Sequence, residues 1–506
     1  MSNTVFVLGL DGLSWNYYNK LKENGVIPFL TNIIEQSVRF SLYAFPPVTY
    51  PSWINIMTGV NPGVHGIFGF LYMDEKGKLN VYTSRRLYHP RVHEMYGFMG
   101  KKALMINPLP PQPLYPIKNV FQLSTLFTPD KYYCSPKYLC EKYRGLINSL
   151  YKSLSRTGDI SLGRAIDEGY RYVYNLINLI EEITKFELFD LYWITLPYPD
   201  NYLHKTSDPD VLIKKLIHGE RKLFGLIDKL VKVLYPFSDY IVVVSDHGFS
   251  HYKYMINVNQ ILFNKGFLSL SKGDNEIREH YEVLAKHNKK KTLRIPRILL
   301  NPYVKRLFKW TRFLIKKAGF KISYPKPDPL LSKAYMPYRY SFGIHINDEE
   351  IADDIVDLLK ECPYIKNVFK REELFWGPLI NSALHLYIEP DFDNGYNVGY
   401  SEIKYEILTK RSHLDHHPLG VLAIYNKYSS PIDKRHINIE NYMVGSTILL
   451  IGNLPISSKA TIDNNYYKVL INSGLIDDKK KIQKVNVYEH KWLILKKIHR
   501  IGKGLV

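Results

Sequence analysis

The chain has 506 residues, a formal net charge of +20 and 45% hydrophobic residues. That hydrophobic content is ordinary for a globular protein, and the length allows roughly two to four domain-sized units. No run approaches the ~18 apolar residues that a membrane-spanning helix needs, and a strand predicted from residue 5 leaves no room for a signal peptide. Cys134, Cys140 and Cys362 are odd in number and unpatterned, so we expect no disulfide framework and a cytoplasmic location.

Apolar periodicity predicts alternating strands and helices along most of the chain. The predicted strands cover 5–10, 38–45, 189–196, 239–244, 333–347, 384–389 and 419–425. The predicted helices cover 14–24, 28–36, 160–183, 209–234, 348–361 and 442–451. This alternation indicates an α/β fold with a central mixed, mostly parallel sheet and helices on both faces.

Potential metal ligands follow three of these strands. Asp11 ends the first strand, Asp200 follows the strand at 189–196, and Asp246-His247 close the strand at 239–244. Open α/β sheets bind ligands at the carboxyl ends of their strands. Carboxylates and imidazoles suit zinc, while manganese would also fit the carboxylates. Two such metals can hold the attacking and leaving oxygens of a displacement at phosphorus, so the pattern predicts metal-dependent phosphoryl transfer.

A threonine supplies the candidate nucleophile. Thr49 follows a stiff Pro46-Pro47 pair, and Pro51 is well placed as the first residue of a helix that runs towards Gly59. Thr49 would then lie just ahead of a helix N-terminus, where free backbone N–H groups favour a phosphate. Metal coordination is one way to activate a hydroxyl that is otherwise a weak nucleophile.

These residues belong to motifs that occur in a recognisable order. The motifs are Gly9–Gly12, Pro46–Thr49 leading into Met57–Ile67, Pro199–His204, Val244–Phe249 and Asp415–Gly420. In these motifs the chain resembles the type I phosphodiesterase/nucleotide pyrophosphatase branch of the alkaline phosphatase superfamily, in particular its uncharacterised archaeal-type members. The resemblance implies an alkaline phosphatase-like fold and a hydrolase of phosphodiester or phosphoanhydride bonds that acts through a phosphothreonine.

The resemblance also implies a role for each matching residue. Thr49 would be the nucleophile, and its oxygen would share one metal with Asp11, Asp246 and His247. The second metal would be held by Asp200, His204 and His416, with His413 and His417 as competitors for the last position. Tyr50, Phe70 and His251 are predicted substrate contacts. Where nucleotide pyrophosphatases have a phosphate-binding asparagine, this chain has Gly69-Phe70.

The predicted domain organisation is discontinuous. The catalytic core comprises 1–265 plus 333–475, with 70–155 as a loop-rich insertion over the site. A basic cap covers 266–332, and a basic C-terminal tail covers 476–506.

A strongly basic segment is the second notable feature. Residues 286–326 contain 14 Lys and Arg and no Asp or Glu, and 302–318 has apolar residues at helical spacing. Such a helix can be a solvated cap, a lid for an anionic phosphoester substrate, or a contact with an anionic membrane surface that would place the protein at the membrane periphery. The tail repeats the pattern more weakly around Trp492.

Two other functions remain open on this sequence. One is a phosphomutase or phosphotransferase on the same two-metal scaffold. The other is a non-catalytic protein that uses 286–326 to bind nucleic acid or membrane.

Overall fold

A computed structural model of the chain provides the structure. It describes residues 3–504 except 76, 129–130, 155–159, 208–209, 212, 215–221, 272–291, 295–320, 400–401, 404–405, 430–436 and 478–481. The strands are β1 (Val5–Leu10), β2 (Val38–Tyr43), β3 (Leu71–Met73), β4 (Leu79–Val81), β5 (Ala103–Ile106), β6 (Val120–Ser124), β7 (Tyr133–Ser135), β8 (Leu191–Leu196), β9 (Tyr240–Val244), β10 (Gly248–Ile256), β11 (Thr292–Arg294), β12 (Lys321–Ser323), β13 (Ala334–Tyr335), β14 (Gly343–Ile346), β15 (Ile365–Lys370), β16 (Leu386–Pro390), β17 (Tyr396–Val398), β18 (Leu408–His417), β19 (Leu419–Asn426), β20 (Ile437–Glu440), β21 (Ile456–Ser457) and β22 (Lys484–Val485). The α-helices are α1 (Trp15–Glu23), α2 (Pro28–Glu35), α3 (Thr49–Thr58), α4 (Pro62–His65), α5 (Val92–Phe98), α6 (Lys137–Lys142), α7 (Arg144–Lys152), α8 (Leu162–Thr184), α9 (Asp200–Leu203), α10 (Leu223–Leu234), α11 (Val258–Asn264), α12 (Ala352–Lys360), α13 (Arg371–Leu374), α14 (Met443–Ile451), α15 (Asn464–Asn472) and α16 (Val487–Gly504).

The central layer is a nine-stranded sheet in the order β20-β2-β19-β9-β1-β8-β5-β6-β7. β1 lies in the middle and pairs in parallel with β8 on one side and β9 on the other. β19 runs antiparallel to β2 and β9, and β7 runs antiparallel to β6. The predicted mixed, mostly parallel sheet is confirmed.

Helices cover both faces of this sheet because its strands are apolar on both sides. On β1, Phe6 and Leu8 pack with α1, α2, α8 and α10, while Val5 and Val7 pack with α3, α5, α14 and α16 on the other face. Strands buried on both faces read as continuous apolar runs, as β1, β8 and β9 do.

A second layer of strands stands beside the main sheet. β13, β14, β16 and β15 form a four-stranded sheet, and β17, β10 and β18 form a three-stranded one. Their core contains buried side chains from α11 and α12. The single strand expected at 333–347 is therefore wrong in detail, because it divides into β13 and β14, which pair antiparallel.

The region 70–155 differs from the expected loop-rich insertion. Its strands β5, β6 and β7 extend the main sheet beyond β8. Its helix α5 packs on the buried face that also receives α16. These three strands therefore belong to the core sheet.

Two further expectations change, one about the cysteines and one about the C-terminal segment. Cys134 and Cys140 form a disulfide between β7 and α6, against the prediction from cysteine spacing, and Cys362 is free. The C-terminal segment ends in α16, whose Trp492 is fully buried, so it is not simply a solvent-exposed tail.

The basic helix expected at 302–318 lies outside the described residues, and the cap and lid remain predictions. No helix within the described ranges has the length and apolarity to cross a bilayer.

Candidate active site

Three parallel strands deliver the acidic residues of the site. β8, β1 and β9 lie side by side in register, so their carboxyl ends meet at one edge of the sheet. Asp11 follows β1, Asp200 begins α9 after β8, and Asp246 follows β9. The strand-end prediction therefore holds for the position of all three carboxylates.

A β-ribbon brings the last histidine to the same edge from far along the chain. β10 continues directly from His247 and pairs antiparallel with β18, which sets Phe249 opposite His416. The Tyr252 hydroxyl donates a hydrogen bond to the backbone carbonyl of His416 at 2.8 Å. This ribbon fixes His416 against residues that precede it by more than 160 positions.

One group of potential ligands, here called the first cluster, comprises Asp11, Asp246 and His247, and all three are buried. His247 Nε2 lies 3.2 Å from Asp246 Oδ2 and 3.6 Å from Asp11 Oδ1. His247 Nδ1 lies 3.0 Å from the carbonyl oxygen of Gly248, which can only accept, so Nδ1 carries the proton and Nε2 offers its lone pair to the cluster.

The second cluster comprises Asp200, His204, Asp415 and His416. His416 Nε2 lies 3.0 Å from Asp200 Oδ1 and 2.9 Å from His204 Nε2. His204 Nε2 is 3.2 Å from the same Asp200 oxygen, and a third of its side chain remains exposed. The His416 Nδ1–H donates to the carbonyl of Pro47 at 2.9 Å, which turns Nε2 towards the site.

The two clusters are contiguous. The rings of His247 and His416 stack with their centroids 3.7 Å apart. Asp200, His247 and His416 also have ligand atoms within 4.8 Å of one another. The arrangement can therefore surround two neighbouring cations rather than two separate ones.

Burial and neighbouring charges move the carboxylates in opposite directions. Burial, followed by the charge of Asp200, raises the pKa of Asp11 well above its usual value. Burial and the charge of Asp11 likewise raise the pKa of Asp246. Burial alone would raise the pKa of Asp200 as well, but the charges and hydrogen bonds of His204 and His416 outweigh it and hold that pKa well below the usual range.

The histidines show the same division. Burial would lower the pKa of His204, but the charge and hydrogen bond of Asp200 outweigh burial and raise this pKa to about 9. Burial and the neighbouring His416 hold the pKa of His247 well below its usual value, so that imidazole is neutral at neutral pH. His204 therefore carries a proton at neutral pH, and His247 does not.

Two buried oxygens test whether these residues fit a metal. Asp11 Oδ1 and Asp246 Oδ2 are buried without a hydrogen-bond donor, an arrangement that is costly unless a cation satisfies them. Catalytic zinc sites usually use carboxylate oxygens and imidazole nitrogens as ligands. The other nitrogen of each ligating imidazole usually donates a hydrogen bond, often to a backbone carbonyl, as in His247 and His416. The residues present fit divalent cations.

Thr49 lies beside the first cluster. It is the first residue of α3, so the helix begins two residues earlier than the expected start at Pro51. Its Oγ1 is 3.1 Å from His247 Nε2, and the residue is buried. Two other hydroxyls on α3 lie elsewhere: Ser52 is buried, and the Thr58 hydroxyl donates to the carbonyl of Ile54 in the same helix.

Comparison with known proteins agrees with this geometry. The type I phosphodiesterase / nucleotide pyrophosphatase family matches residues 5–333 of the chain. The chain belongs to this family. None of the curated proteins compared with the chain matches it in sequence.

Three solved structures show the same fold at low sequence identity. Phosphonoacetate hydrolase from Sinorhizobium meliloti 1021, in complex with phosphonoacetate, has 16% identity over 88% of this chain and 95% of that chain, with a TM-score of 0.54. Alkaline phosphatase PafA has 10% identity over 92% and 99%, with a TM-score of 0.53. Human ectonucleotide pyrophosphatase/phosphodiesterase 5 has 14% identity over 94% and 100%, with a TM-score of 0.51. The fold is alkaline phosphatase-like.

As a member of the type I phosphodiesterase/nucleotide pyrophosphatase family, the chain is a phosphoric ester hydrolase of a metal-dependent family. Its substrates are phosphoesters in the general sense that the family name gives.

The other histidines considered in the sequence analysis lie behind or away from the clusters. His413 reaches Asp415 Oδ2 at 3.5 Å and so stands behind the second cluster. His417 lies on the other face of β18, against Phe392. His251 is exposed and contacts Ser412 at 2.7 Å. These contacts leave His416 as the strand histidine that faces the carboxylates.

The predicted substrate contacts Tyr50 and Phe70 lie together next to Thr49. Their ring centroids are 5.0 Å apart, and Phe127 completes a cluster of three rings. The Tyr50 hydroxyl donates to the carbonyl of Tyr82 at 2.9 Å.

Two residues of the site were not predicted. Trp53 Nε1 donates to Asp11 Oδ2 at 3.2 Å from one turn along α3. Asp415 lies with His204 and His416, and its Oδ1 accepts from the His416 backbone N–H at 2.9 Å. A signal for Trp53 existed in its spacing of four from Thr49, which puts both side chains on one face of a helix.

Proposed function

We propose that the chain hydrolyses phosphodiester or phosphoanhydride bonds through a phosphorylated Thr49. The observation that carries this proposal is the 3.1 Å contact between Thr49 Oγ1 and the unprotonated Nε2 of His247, at the edge where the two clusters meet. A hydroxyl next to an acceptor nitrogen and a cluster of metal-ligand types has the surroundings of an activated nucleophile.

The proposed division of the ligands is the one that the family resemblance implies, and the first cluster and the short contacts among Asp200, His204 and His416 support it. Asp11, Asp246 and His247 would hold one divalent cation together with the Thr49 oxygen, and Asp200, His204 and His416 would hold the other. Zinc suits this imidazole-containing set, and manganese is the alternative. When bound, the two cations supply charge stabilisation for the attacking and leaving oxygens and lower the pKa of a coordinated hydroxyl or water.

The chain's own residues then perform the displacement. Thr49 Oγ gives its proton to solvent and forms a bond to phosphorus while the bond from phosphorus to the leaving oxygen breaks. The leaving group departs with a proton from solvent. Water next attacks the phosphothreonine, the bond between phosphorus and Thr49 Oγ breaks, and Thr49 takes back a proton.

The position of Thr49 at the start of α3 supports binding of the phosphoryl group. The first N–H groups of a helix have no partner within it and point at ligands in front of the N-terminus. Phe70, which packs against the buried ring of Tyr50, the residue after Thr49, is proposed to contact the organic part of the substrate, with Tyr50 behind it. The ring of Phe70 is partly exposed and offers an apolar contact.

The test compares a diester with a monoester in matched variants. Hydrolysis of bis-p-nitrophenyl phosphate and p-nitrophenyl phosphate is measured with added zinc or manganese, for the wild type, Thr49→Ala and Thr49→Ser. Thr49→Ser keeps a hydroxyl at the same place and is the matched control for the loss of packing. Phosphorylation of Thr49 is followed by mass spectrometry after acid quenching.

The proposal predicts a faster diester reaction that Thr49→Ala abolishes and Thr49→Ser partly retains. Metal content should stay unchanged in Thr49→Ala, because most ligands are intact. Normal turnover by Thr49→Ala would overturn the nucleophile assignment. A faster monoester reaction would instead favour a phosphatase or mutase on the same scaffold.

A further inference from the structure

The C-terminal helix α16 has two apolar faces, and the fold uses one of them. Tyr488 and Trp492 are fully buried, and the Trp492 indole N–H donates to the carbonyl of Leu87 at 3.0 Å. His499 lies edge-on to the ring of Tyr115, 5.0 Å between centroids. These residues recur at intervals of four and seven, which defines the face that docks on the core.

The second apolar face points to solvent. Ile494, Ile498 and Ile501 are 57%, 61% and 63% exposed, and they follow one another at i, i+4 and i+7. This spacing places them in one stripe along the helix. At 100° per residue the stripe lies roughly 140° away from the docked face, so its exposure follows from the way the helix is anchored.

The charges on α16 are arranged around this stripe. The helix contains five Lys and Arg and one acidic residue, Glu489. Glu489 turns inward, where its Oε1 is 3.2 Å from His89 Nε2. Lys491 and Lys497 lie on the two sides of the isoleucine stripe, and no ion pair within the described part of the chain involves either. The Lys491 ammonium donates to the carbonyl of Phe98 at 2.5 Å.

Lys496 lies on the other side of α16, away from the stripe. It donates to the carbonyl oxygens of Arg85 and Leu87, and its ammonium lies 4.8 Å from the ring centroid of Tyr88. This cation therefore helps to anchor the helix on the core and leaves the isoleucine stripe facing outward.

We propose that the outer face of α16 docks on an anionic lipid bilayer, with Ile494, Ile498 and Ile501 entering the headgroup boundary. Apolar residues with flanking cations are held at such a surface by burial of the apolar groups and by attraction to anionic headgroups. This proposal is independent of the proposed function, since it involves none of the site residues.

A second copy of the chain fits this face less well. Three isoleucine side chains offer on the order of 400 Å², about half of what one partner buries in a stable interface. A two-fold arrangement would also set Lys491 and Lys497 against the same residues of the other copy. The charge of the surface therefore favours an anionic bilayer over self-association.

The experiment is vesicle co-sedimentation of the full chain. One set of vesicles is phosphatidylcholine alone, and the other contains roughly one third phosphatidylglycerol. The expected result is binding to the anionic vesicles that weakens as salt increases, because exposed charges are screened. Binding that is equal on both vesicle types, or no binding to either, would overturn the proposal.

Variants separate the stripe from general stickiness. The triple variant Ile494→Asn, Ile498→Asn, Ile501→Asn should lower the partition onto anionic vesicles by about tenfold or more. The matched control is Leu330→Asn with Leu331→Asn, which removes two side chains that are 77% and 62% exposed on another part of the surface. The control should bind as the wild type does.

Two further results would overturn the proposal. One is an equal loss of binding in the control. The other is a concentration-dependent dimer in sedimentation velocity that the triple variant abolishes, without vesicle binding by the wild type. Thermal unfolding of each variant shows whether the fold is retained. We expect it to be, because the three isoleucine side chains are mostly exposed.

Discussion

Several of the proposed metal ligands hold their protons to a higher pH than usual in the metal-free fold. Asp11 and Asp246 are buried close together, and burial raises the pKa of both carboxyls. The pKa of His204 is raised to about 9 by its contact with Asp200 despite burial. A metal ligand must be deprotonated, so binding has to expel these protons.

We therefore expect zinc binding to release about one proton or more at neutral pH, and the apparent affinity to rise with pH towards 9. Affinity should rise with pH because the Asp11 and Asp246 carboxyls and the His204 imidazole hold their protons to a higher pH in the metal-free fold than in free solution. Calorimetric titrations in two buffers of different ionisation enthalpy measure the number of protons released. A binding enthalpy that is independent of the buffer would contradict this expectation.

Trp53→Phe should lower metal affinity by about tenfold, because the lost indole N–H orients Asp11 from behind. A competition titration with a chromogenic chelator measures the change. Trp193→Phe is the matched control, since that buried indole donates to Thr195 Oγ1 and not to any of the candidate ligands. An equal fall in both variants would assign the effect to core packing.

The ligand types could be predicted because they follow apolar strands, and parallel strands share one edge. The resemblance already favoured His416 over His413 and His417, but only the structure places His416 Nε2 3.0 Å from Asp200 Oδ1. Asp415 was visible only as a marker beside His416. Its position in the second cluster depends on how β18 pairs with β10.

Close contact between two helices holds the nucleophile helix in place. Gly445 in α14 meets Gly59 at the end of α3, and a Cβ at Gly445 would lie 2.6 Å from the Gly59 nitrogen and 2.7 Å from its Cα. Neither backbone can yield easily. Gly59 also ends α3 in the left-handed conformation, with φ of 71°.

Gly445→Ala should destabilise the protein by about 1–3 kcal/mol and displace α3, because the added methyl group has no space. Urea unfolding measures the change in the free energy of unfolding. Gly163→Ala in α8 is the control, because a Cβ added there would meet no other atom within 4 Å and alanine favours a helix. Equal stability of the two variants would refute the packing argument.

Long helices and the central strands could be predicted from their periodicity, but the smaller sheet only in part: the expected strand at 384–389 corresponds to β16, while β15 was missed. The turn between β13 and β14 uses Tyr340 and Phe342 at positive φ, 61° and 53°, without the glycine that usually marks such a turn. The predicted strand at 333–347 therefore ran through it. β5 was missed because the proline-rich run after it suggested loops.

At the level of the whole molecule, the segment before α5 is joined to the C-terminal helix by buried polar contacts. His89 Nε2 lies 3.0 Å from Ser457 Oγ and 3.2 Å from Glu489 Oε1. Together with the burial of Trp492, this contact makes α16 part of the buried face that includes α3 and α5.

Trp492→Ala should cost about 3–5 kcal/mol of stability, as for other buried tryptophans. Leu493→Ala is the control, since the neighbouring side chain is 46% exposed and should change stability by less than about 1 kcal/mol. Guanidinium unfolding gives both values. A small effect of Trp492→Ala would mean that α16 is a detachable tail.

The central position of β1 has a consequence for biosynthesis. Its neighbour β9 and the next strand β19 come from the middle and the far end of the chain, and His416 enters the site 405 positions after Asp11. A chain emerging from the ribosome thus carries Asp11 and Thr49 long before their partners exist. On the proposed division of the ligands, the first cluster is complete once His247 has emerged, but the second cation must wait for His416. Catalysis with both cations therefore begins late in translation, and a product truncated before His416 would be inert.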